Sequence, residues 1–401
     1  MDLGVGDRIP VLLSIDIEPD PREPGLGAPA PLRGTERLFQ LLDGVRGALA
    51  RTCAAPPVFS WYVRADPQIE HVYGDRSWLM RTFASELAAA QSRGDHVGLH
   101  THAQRWDEAR AQWISDYENR EWLEHCLRMS FDAFEGFFAY GCTCFRFGDA
   151  WINDRALDFL RSLGVKVDLS IEPDQPAAPY RRSDEEKIGP VPEPANVPMR
   201  PLWWRSGGSL RALAEEGACA FAAAGAADGS PSARPGGGGD RGPGLWIVPI
   251  STAAITLASA NGNTGRASTG DRSARWRRFL PARDQAKRWN AYSRRLPFVH
   301  HLRERPLVER VGGKVRAAYG GAFNVTLNLI ADPVFFAPAF EAVLAKVRPC
   351  YVHMVCRSGD LANRWYRANF ERNLAYVAAH DKAARFLFTT PLGLLSELGL
   401  E

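Results

Sequence analysis

Three of the chain's nine histidines, His96, His100 and His102, fall within the stretch "GDHVGLHTHAQRW" at 94–106. A second cluster, "SIDIE", carries Asp16 and Glu18 two residues apart. Successive side chains of a strand point to opposite faces, so residues i and i+2 share a face. Asp16 and Glu18 therefore point one way, and His100 and His102 do the same. One or two carboxylates with two imidazoles form a common ligand set for a hydrolytic divalent metal, with one position left for water. The spacing alone fits equally a pair of histidines at a surface strand end.

Those residues need elements that bring them together. "PVLLSIDIE" reads as a buried strand whose C-terminal end carries charge, followed by a helix over "TERLFQLLDGVRGALART". "PPVFSWYVRAD" is a second strand, and "SWLMRTFASELAAAQSRG" a second helix stopped by Gly94. "DHVGLHTH" is a third strand, and "REWLEHCLRMSFDAFEGFFAYG" a long helix. "TCFRFGD" is a fourth strand, "NDRALDFLRSLG" a helix bounded by Asn153 and Gly164, and "VKVDLSI" a fifth strand. Strands alternating with helices argue for parallel βα units. In an α/β barrel the C-terminal strand ends form one mouth, where the two carboxylates and two imidazoles would converge.

The alternation then breaks. Residues 174–209 are rich in Pro and charge and read as a long loop, within a loop region over 174–244. The segment 223–244 is a Gly/Ala/Pro-rich tract that offers no core to bury. Residues 263–318 form a basic, partly helical insertion; its part from 266 holds fifteen Lys/Arg against four Asp/Glu, interleaved with Trp276, Trp289 and Tyr292. It reads as a solvated face or as a contact for an anion. "GLWIVPIS", "FNVTLNLI" and "PCYVHMVCRS" resume as strands before a closing helix, strand and short helix.

With 401 residues, 45% of them hydrophobic, the chain is read as a single domain, 1–401, of barrel size with insertions. A formal charge of +3 gives no general pull toward polyanions. Seven cysteines in no framework spacing argue against disulfides; Cys142, Cys144 and Cys356 read as buried small hydrophobes. No basic leader and no run of about 18 apolar residues is visible, so the expectation is a cytoplasmic protein without a transmembrane segment.

Three motifs in order, "SIDIEPD", "VGLHTH" and "FRFGDA" leading into "LDFLRSLGVKVDLS", resemble those of the NodB-type polysaccharide deacetylase superfamily. The resemblance covers residues 8–175 well and 245–397 loosely. It implies a distorted (β/α)7 barrel and metal-assisted hydrolysis of an N-acyl group on a carbohydrate, with zinc the expected divalent ion. It also implies roles. Asp16 matches the general base and Glu18 the carboxylate ligand, with the two exchangeable. His100 matches the first metal histidine, and Arg146 the arginine that orients the base.

The pattern departs from the family's at two positions. Gln104 stands where the second metal histidine would be, and Gln is a poor transition-metal ligand; His102, one pleat beyond His100, takes its place. His96 lies two pleats back and reads as structural. In the late strand, "CRSGDL" puts Arg357 where the family has its acid, and arginine cannot donate a proton at neutral pH. Arg357 can still bind an anion. His353, two pleats earlier on the same face, is the remaining candidate acid and reaches the site only if its strand slips outward. Trp61, Trp106 and Trp151 either stack on a sugar or pack against helices, and Asp20 reads as a turn residue. Two functions follow. One is a metal-dependent deacetylase acting on a carbohydrate, anionic or lipid-linked, in polysaccharide synthesis. The other is a protein of the same fold that binds an anionic glycan or sugar nucleotide through Arg146, Arg357 and the basic insertion without hydrolysing it. Nucleic acid ranks last as a partner.

Overall fold

The computed structural model describes residues 8–21, 24–26, 29–109, 111–148, 151–173, 197–213, 244–255, 323–346 and 351–400. The tract at 223–243 and the insertion at 263–318, with Trp276, Trp289 and Tyr292, lie outside them. The chain begins β1 (Ile9–Ile17), α1 (Arg33–Ala50), β2 (Ser60–Arg64), α2 (Pro67–Tyr73), α3 (Trp78–Thr82), α4 (Ala84–Ser92) and β3 (His96–Thr101). A hairpin of β4 (Gln104–Asp107) and β5 (Gln112–Ser115) precedes α5 (Arg120–Phe138), β6 (Cys144–Phe147), α6 (Asp154–Ser162) and β7 (Val167–Asp168). Then come β8 (Leu202–Arg205), β9 (Gly244–Ile247), β10 (Thr252–Ile255), β11 (Phe323–Thr326) and α7 (Pro333–Leu344). The last elements are β12 (Val352–Arg357), α8 (Arg364–Ala378), β13 (Phe386–Phe388) and α9 (Pro391–Glu397).

The main sheet is mixed α/β in setting and curls into a half-barrel in the order β12-β1-β2-β3-β6-β7-β9-β8. Among the described residues its pairings are parallel except for β8, which lies antiparallel on β9; β13 also pairs with the start of β1. Between β9 and β12 the wall is carried by Ser251, whose backbone N–H and side chain bond the backbone of His353, and by a bridge between Asn328 and Val355.

Strand alternation sorts the side chains into two apolar cores. Val11, Leu13, Ile15, Trp61, Val63, Val97, Leu99 and Phe145 face the helices. Leu12, Tyr62, Cys144, Val167, Leu169, Trp246, Val248 and Tyr351 face the interior, where Leu394 and Leu395 of α9 join them. Trp61 is thus a packing residue: its ring stacks on Phe39 at 4.9 Å and its Nε1–H donates to Asp95 at 2.9 Å. Cys142, Cys144 and Cys356 are buried free thiols, pushed away from ionisation by burial. Among the described residues no helix is long and apolar enough to cross a membrane.

Several elements differ from the sequence expectation. The helix expected over 77–94 breaks at Phe83, whose φ of −109° leaves the helical region while its ring packs on Phe39. The expected loop at 174–209 contains β8, because Leu202 and Trp204 bury themselves against β9. The β4–β5 hairpin carries no Gly or Asn at its turn; Ala111 takes φ +50° there, which removes the usual signal. α6 begins and ends as expected, with the Asn153 side chain accepting from Ala156 N–H and Gly164 at φ +87°.

Candidate metal and active site

Register brings the charged residues together. Arg64, His100 and Arg146 are adjacent at the ends of β2, β3 and β6, while Asp16 pairs across the sheet with Tyr62 on one side and Arg357 on the other. Glu18 lies one residue beyond β1. Its backbone N–H donates to Ser358 Oγ at 3.1 Å, and Thr35 Oγ1 lies 2.7 Å from the same hydroxyl. The mouth so formed holds Asp16, Glu18, Arg64, Asp66, His100, His102, Arg146 and Arg357, all buried.

Glu18, His100 and His102 present ligand atoms that all lie within 4.8 Å of one another. His100 Nε2 is 3.1 Å from Glu18 Oε1 and 3.0 Å from His102 Nε2. The other ring nitrogen, Nδ1, lies 3.0 Å from the Arg146 carbonyl. A carbonyl only accepts, so Nδ1 carries a proton, and Nε2 is the nitrogen that faces Glu18 and His102. Ligand atoms that face each other this closely share a proton or a cation between them. A backbone carbonyl on the far nitrogen is also the usual outer partner of a metal-bound imidazole. The donor set of one carboxylate and two imidazoles fits a divalent transition ion such as zinc.

Two arginines press on Glu18. Arg64 Nη1 donates to Oε2 at 3.3 Å, and Arg357 Nε lies 3.2 Å from the same oxygen. Burial works against the Glu18 charge, but Arg357 and the two histidines outweigh it and hold the carboxyl well below the usual range. Arg64 is fixed in turn by Asp66, through bonds of 2.8 and 3.0 Å, and by Gln68 at 2.6 Å. Asp66 also caps α2 and accepts the backbone N–H of His102 at 3.0 Å.

Asp16 sits beside this cluster. Arg146 Nε lies 3.1 Å from each of its carboxylate oxygens, while Nη1 donates to the Leu169 carbonyl at 3.0 Å. Arg146 Nη2 stands 3.6 Å from Glu172, which the sequence reading did not single out. Burial opposes the Arg146 charge, and Asp16 and Glu172 reverse that effect. Asp16 and Glu18 are therefore not equivalent: Glu18 meets the Nε2 atoms of both imidazoles, whereas Asp16 meets Arg146 and lies 3.8 Å from His100 Nδ1.

Arg357 lies at the mouth, but its guanidinium is engaged: Nη1 bonds the Asp20 carbonyl at 3.2 Å and Asp360 at 3.1 Å, and Nη2 bonds the Pro19 carbonyl. It clamps the turn that follows Glu18. Asp20 is more than a turn residue, since its carboxylate accepts from Arg33 and Gly34 N–H at the start of α1. His353 is in register with Leu12, four residues below Arg357, and is wholly buried. Its Nε2 meets Ser14 Oγ at 2.8 Å and its Nδ1 the Pro249 carbonyl at 3.3 Å, and burial lowers its pKa to about 3. β12 does not slip outward, so His353 is not brought to the cluster. His96 begins β3 beside Ser60, and burial lowers it to about 4. Trp151 is 1% exposed, stacked on Tyr117 at 4.8 Å. Trp106 is half-buried on β4 with its ring against Trp113 at 5.2 Å. Arg64 and Asp66 were missed as well; "ADP", an N-cap aspartate followed by proline, was their available signal.

No family model and no curated protein matches the chain. Among solved structures, the chain is similar to a "putative polysaccharide deacetylase" from Mycobacterium smegmatis, at 10% identity and a TM-score of 0.38 over 98% of this chain and 91% of that one. It is also similar to 4-alpha-glucanotransferase from Thermococcus litoralis, at 10% identity and a TM-score of 0.34 over 97% of this chain and 40% of that one. A third likeness is to IcaB from Ammonifex degensii, at 14% identity and a TM-score of 0.23 over 41% of this chain and 84% of that one.

Proposed function

We propose that the protein is a metal-dependent hydrolase that removes an N-acyl group, acetyl in the first instance, from a carbohydrate or glycoconjugate. The observation that supports this most is the buried convergence of Glu18 with the Nε2 atoms of His100 and His102, directly beside an arginine-bound Asp16. A distorted (β/α)7 barrel of the polysaccharide deacetylase type is the fold proposed for it, and the parallel half-barrel supports that reading.

Glu18, His100 and His102 would hold the ion, with zinc the proposed metal. When bound, such an ion polarises an amide carbonyl and makes water a better nucleophile. Arg146 fixes Asp16 on both oxygens, so the carboxylate is aimed rather than free to rotate. Asp16 takes the proton of the attacking water as the C–O bond forms. Breaking the C–N bond requires a proton on the leaving nitrogen. Arg357 cannot supply it, and His353 is turned toward Ser14 and Pro249. Asp16, protonated in the first step, returns that proton to the amine, which balances the reaction without a second acid. Acetate and a free amino sugar leave. A role in polysaccharide synthesis and an anionic or lipid-linked acceptor belong to the same proposal.

The arginine at position 357 favours a second reading, a glycan-binding protein of this fold that does not turn over. Two measurements decide. Purified protein titrated with zinc should bind one ion per chain, and Asp16→Asn should keep that ion while losing acetate release from an N-acetylated oligosaccharide. Stoichiometric binding without acetate release in the wild type supports the second reading. Failure to bind any divalent ion overturns the first.

A further inference from the structure

The ring of His102 rests on Gly148. A methyl group built on the Gly148 Cα would lie 2.2–2.3 Å from three atoms of the His102 imidazole, Cε1, Nδ1 and Nε2. Real carbon contacts do not approach so closely, so any side chain at 148 must displace the ring or the backbone beneath it. The seat itself is held in place. Tyr117 Oη donates to the Gly148 carbonyl at 3.4 Å, and the backbone N–H of Trp151 donates to the same oxygen at 3.2 Å. Tyr117 and Trp151 stack at 4.8 Å, and Phe147 packs edge-on to Trp151 at 5.3 Å. Next to this seat, Ser170 Oγ accepts the Phe147 N–H at 2.8 Å, which ties the segment back to the strand wall. On the other side, Asp66 accepts the His102 backbone N–H.

We infer that Gly148 is a positioning residue for the metal ligand His102, with Tyr117 and Trp151 fixing the backbone that forms the seat. The inference rests on the metal-site reading proposed above and deepens it. It assigns to "FRFGDAW" a task that neither the arginine nor the tryptophan in it explains. A glycine is needed there because the ring occupies the volume of a Cβ, and the glycine takes no positive φ. Trp151 then serves the site from below, through the backbone, with its ring face covered by Tyr117.

The experiment is a double-mutant cycle read by zinc affinity, measured by competition with a chromophoric chelator, on the full chain. Gly148→Ala should weaken zinc binding by about 10–100-fold, the size seen when outer-shell support of a ligand is lost. In a His102→Ala background the same methyl should have no further effect, because the ring it displaces is gone. A methyl that harmed only the fold would weaken both backgrounds alike. Tyr117→Phe, a milder change that leaves Gly148 intact, should weaken zinc binding less than Gly148→Ala and keep the far-UV spectrum of the wild type. Equal zinc affinity in the wild type and Gly148→Ala overturns the inference while leaving the metal site standing. A wild type that binds no zinc overturns the metal-site reading itself.

Discussion

The two ends of the half-barrel interior are built on opposite principles. At the mouth, Asp16, Glu18, Arg64, Asp66, Arg146 and Arg357 are buried in mutual contact with His100 and His102. At the other end, Leu12, Trp246 and Tyr351 meet Leu394 and Leu395 of α9 in an apolar plug. β12 shows the change along one face: Tyr351 just before it belongs to the plug, His353 is neutral and hydrogen-bonded, and Arg357 carries charge. Buried charge survives only where it is paired, because desolvation of an isolated ion costs far more than one side chain contributes to stability. The mouth therefore concentrates paired charge, and the plug concentrates apolar surface.

That division can be broken at either end. The largest effect is expected from His100→Ala. It should lower zinc affinity by more than about 100-fold, since outer-shell losses alone run to about 10–100-fold, and calorimetric titration measures it. Metal-free melting should move by only a few degrees. Arg64→Leu comes next. It leaves Asp66 and Glu18 buried without their shared partner and should destabilise the fold by about 3–5 kcal/mol in urea denaturation. Leu395→Ala opens a cavity in the plug and should cost about 2–3 kcal/mol while zinc affinity stays within twofold. A matching loss of affinity would show that the two ends are not separable.

The smallest effect concerns the neutral layer between the ends. His353 is lowered to about 3 in the folded protein, against an ordinary value near 6.5. The unfolded chain therefore takes up a proton below about pH 6.5 that the folded chain refuses until about pH 3. Stability is lost as pH falls through that window. Between pH 6.5 and 5 the loss from this group is about 2 kcal/mol. His353→Gln, which keeps hydrogen-bonding capacity without titrating, should flatten that part of the profile relative to wild type. His96 acts in the same direction and remains in both proteins, so the difference isolates His353. Identical slopes would mean that His353 is not held neutral.

Local periodicity determined much of this molecule from sequence alone. Alternation along "SIDIE" and "GLHTH" put Asp16 with Glu18 and His100 with His102 on interior faces, and the βα order put them at one end. Cap chemistry marked α6, because an N-cap bond is made within a few residues. The tertiary structure decided what depends on register between strands. It gave Asp16 and Glu18 different surroundings by setting Arg146 against one and the Nε2 atoms of both imidazoles against the other. It turned Arg357 into a clamp on the Pro19 and Asp20 carbonyls, left His353 below the site, and buried Trp151 under Tyr117. It brought Arg64 to Glu18, and Asp66 and Gly148 to His102, across tens of residues of chain. A sequence gives the side of a strand on which each group stands, since that follows from a two-residue repeat. The group it meets there is set by the stagger of neighbouring strands, which no local pattern encodes.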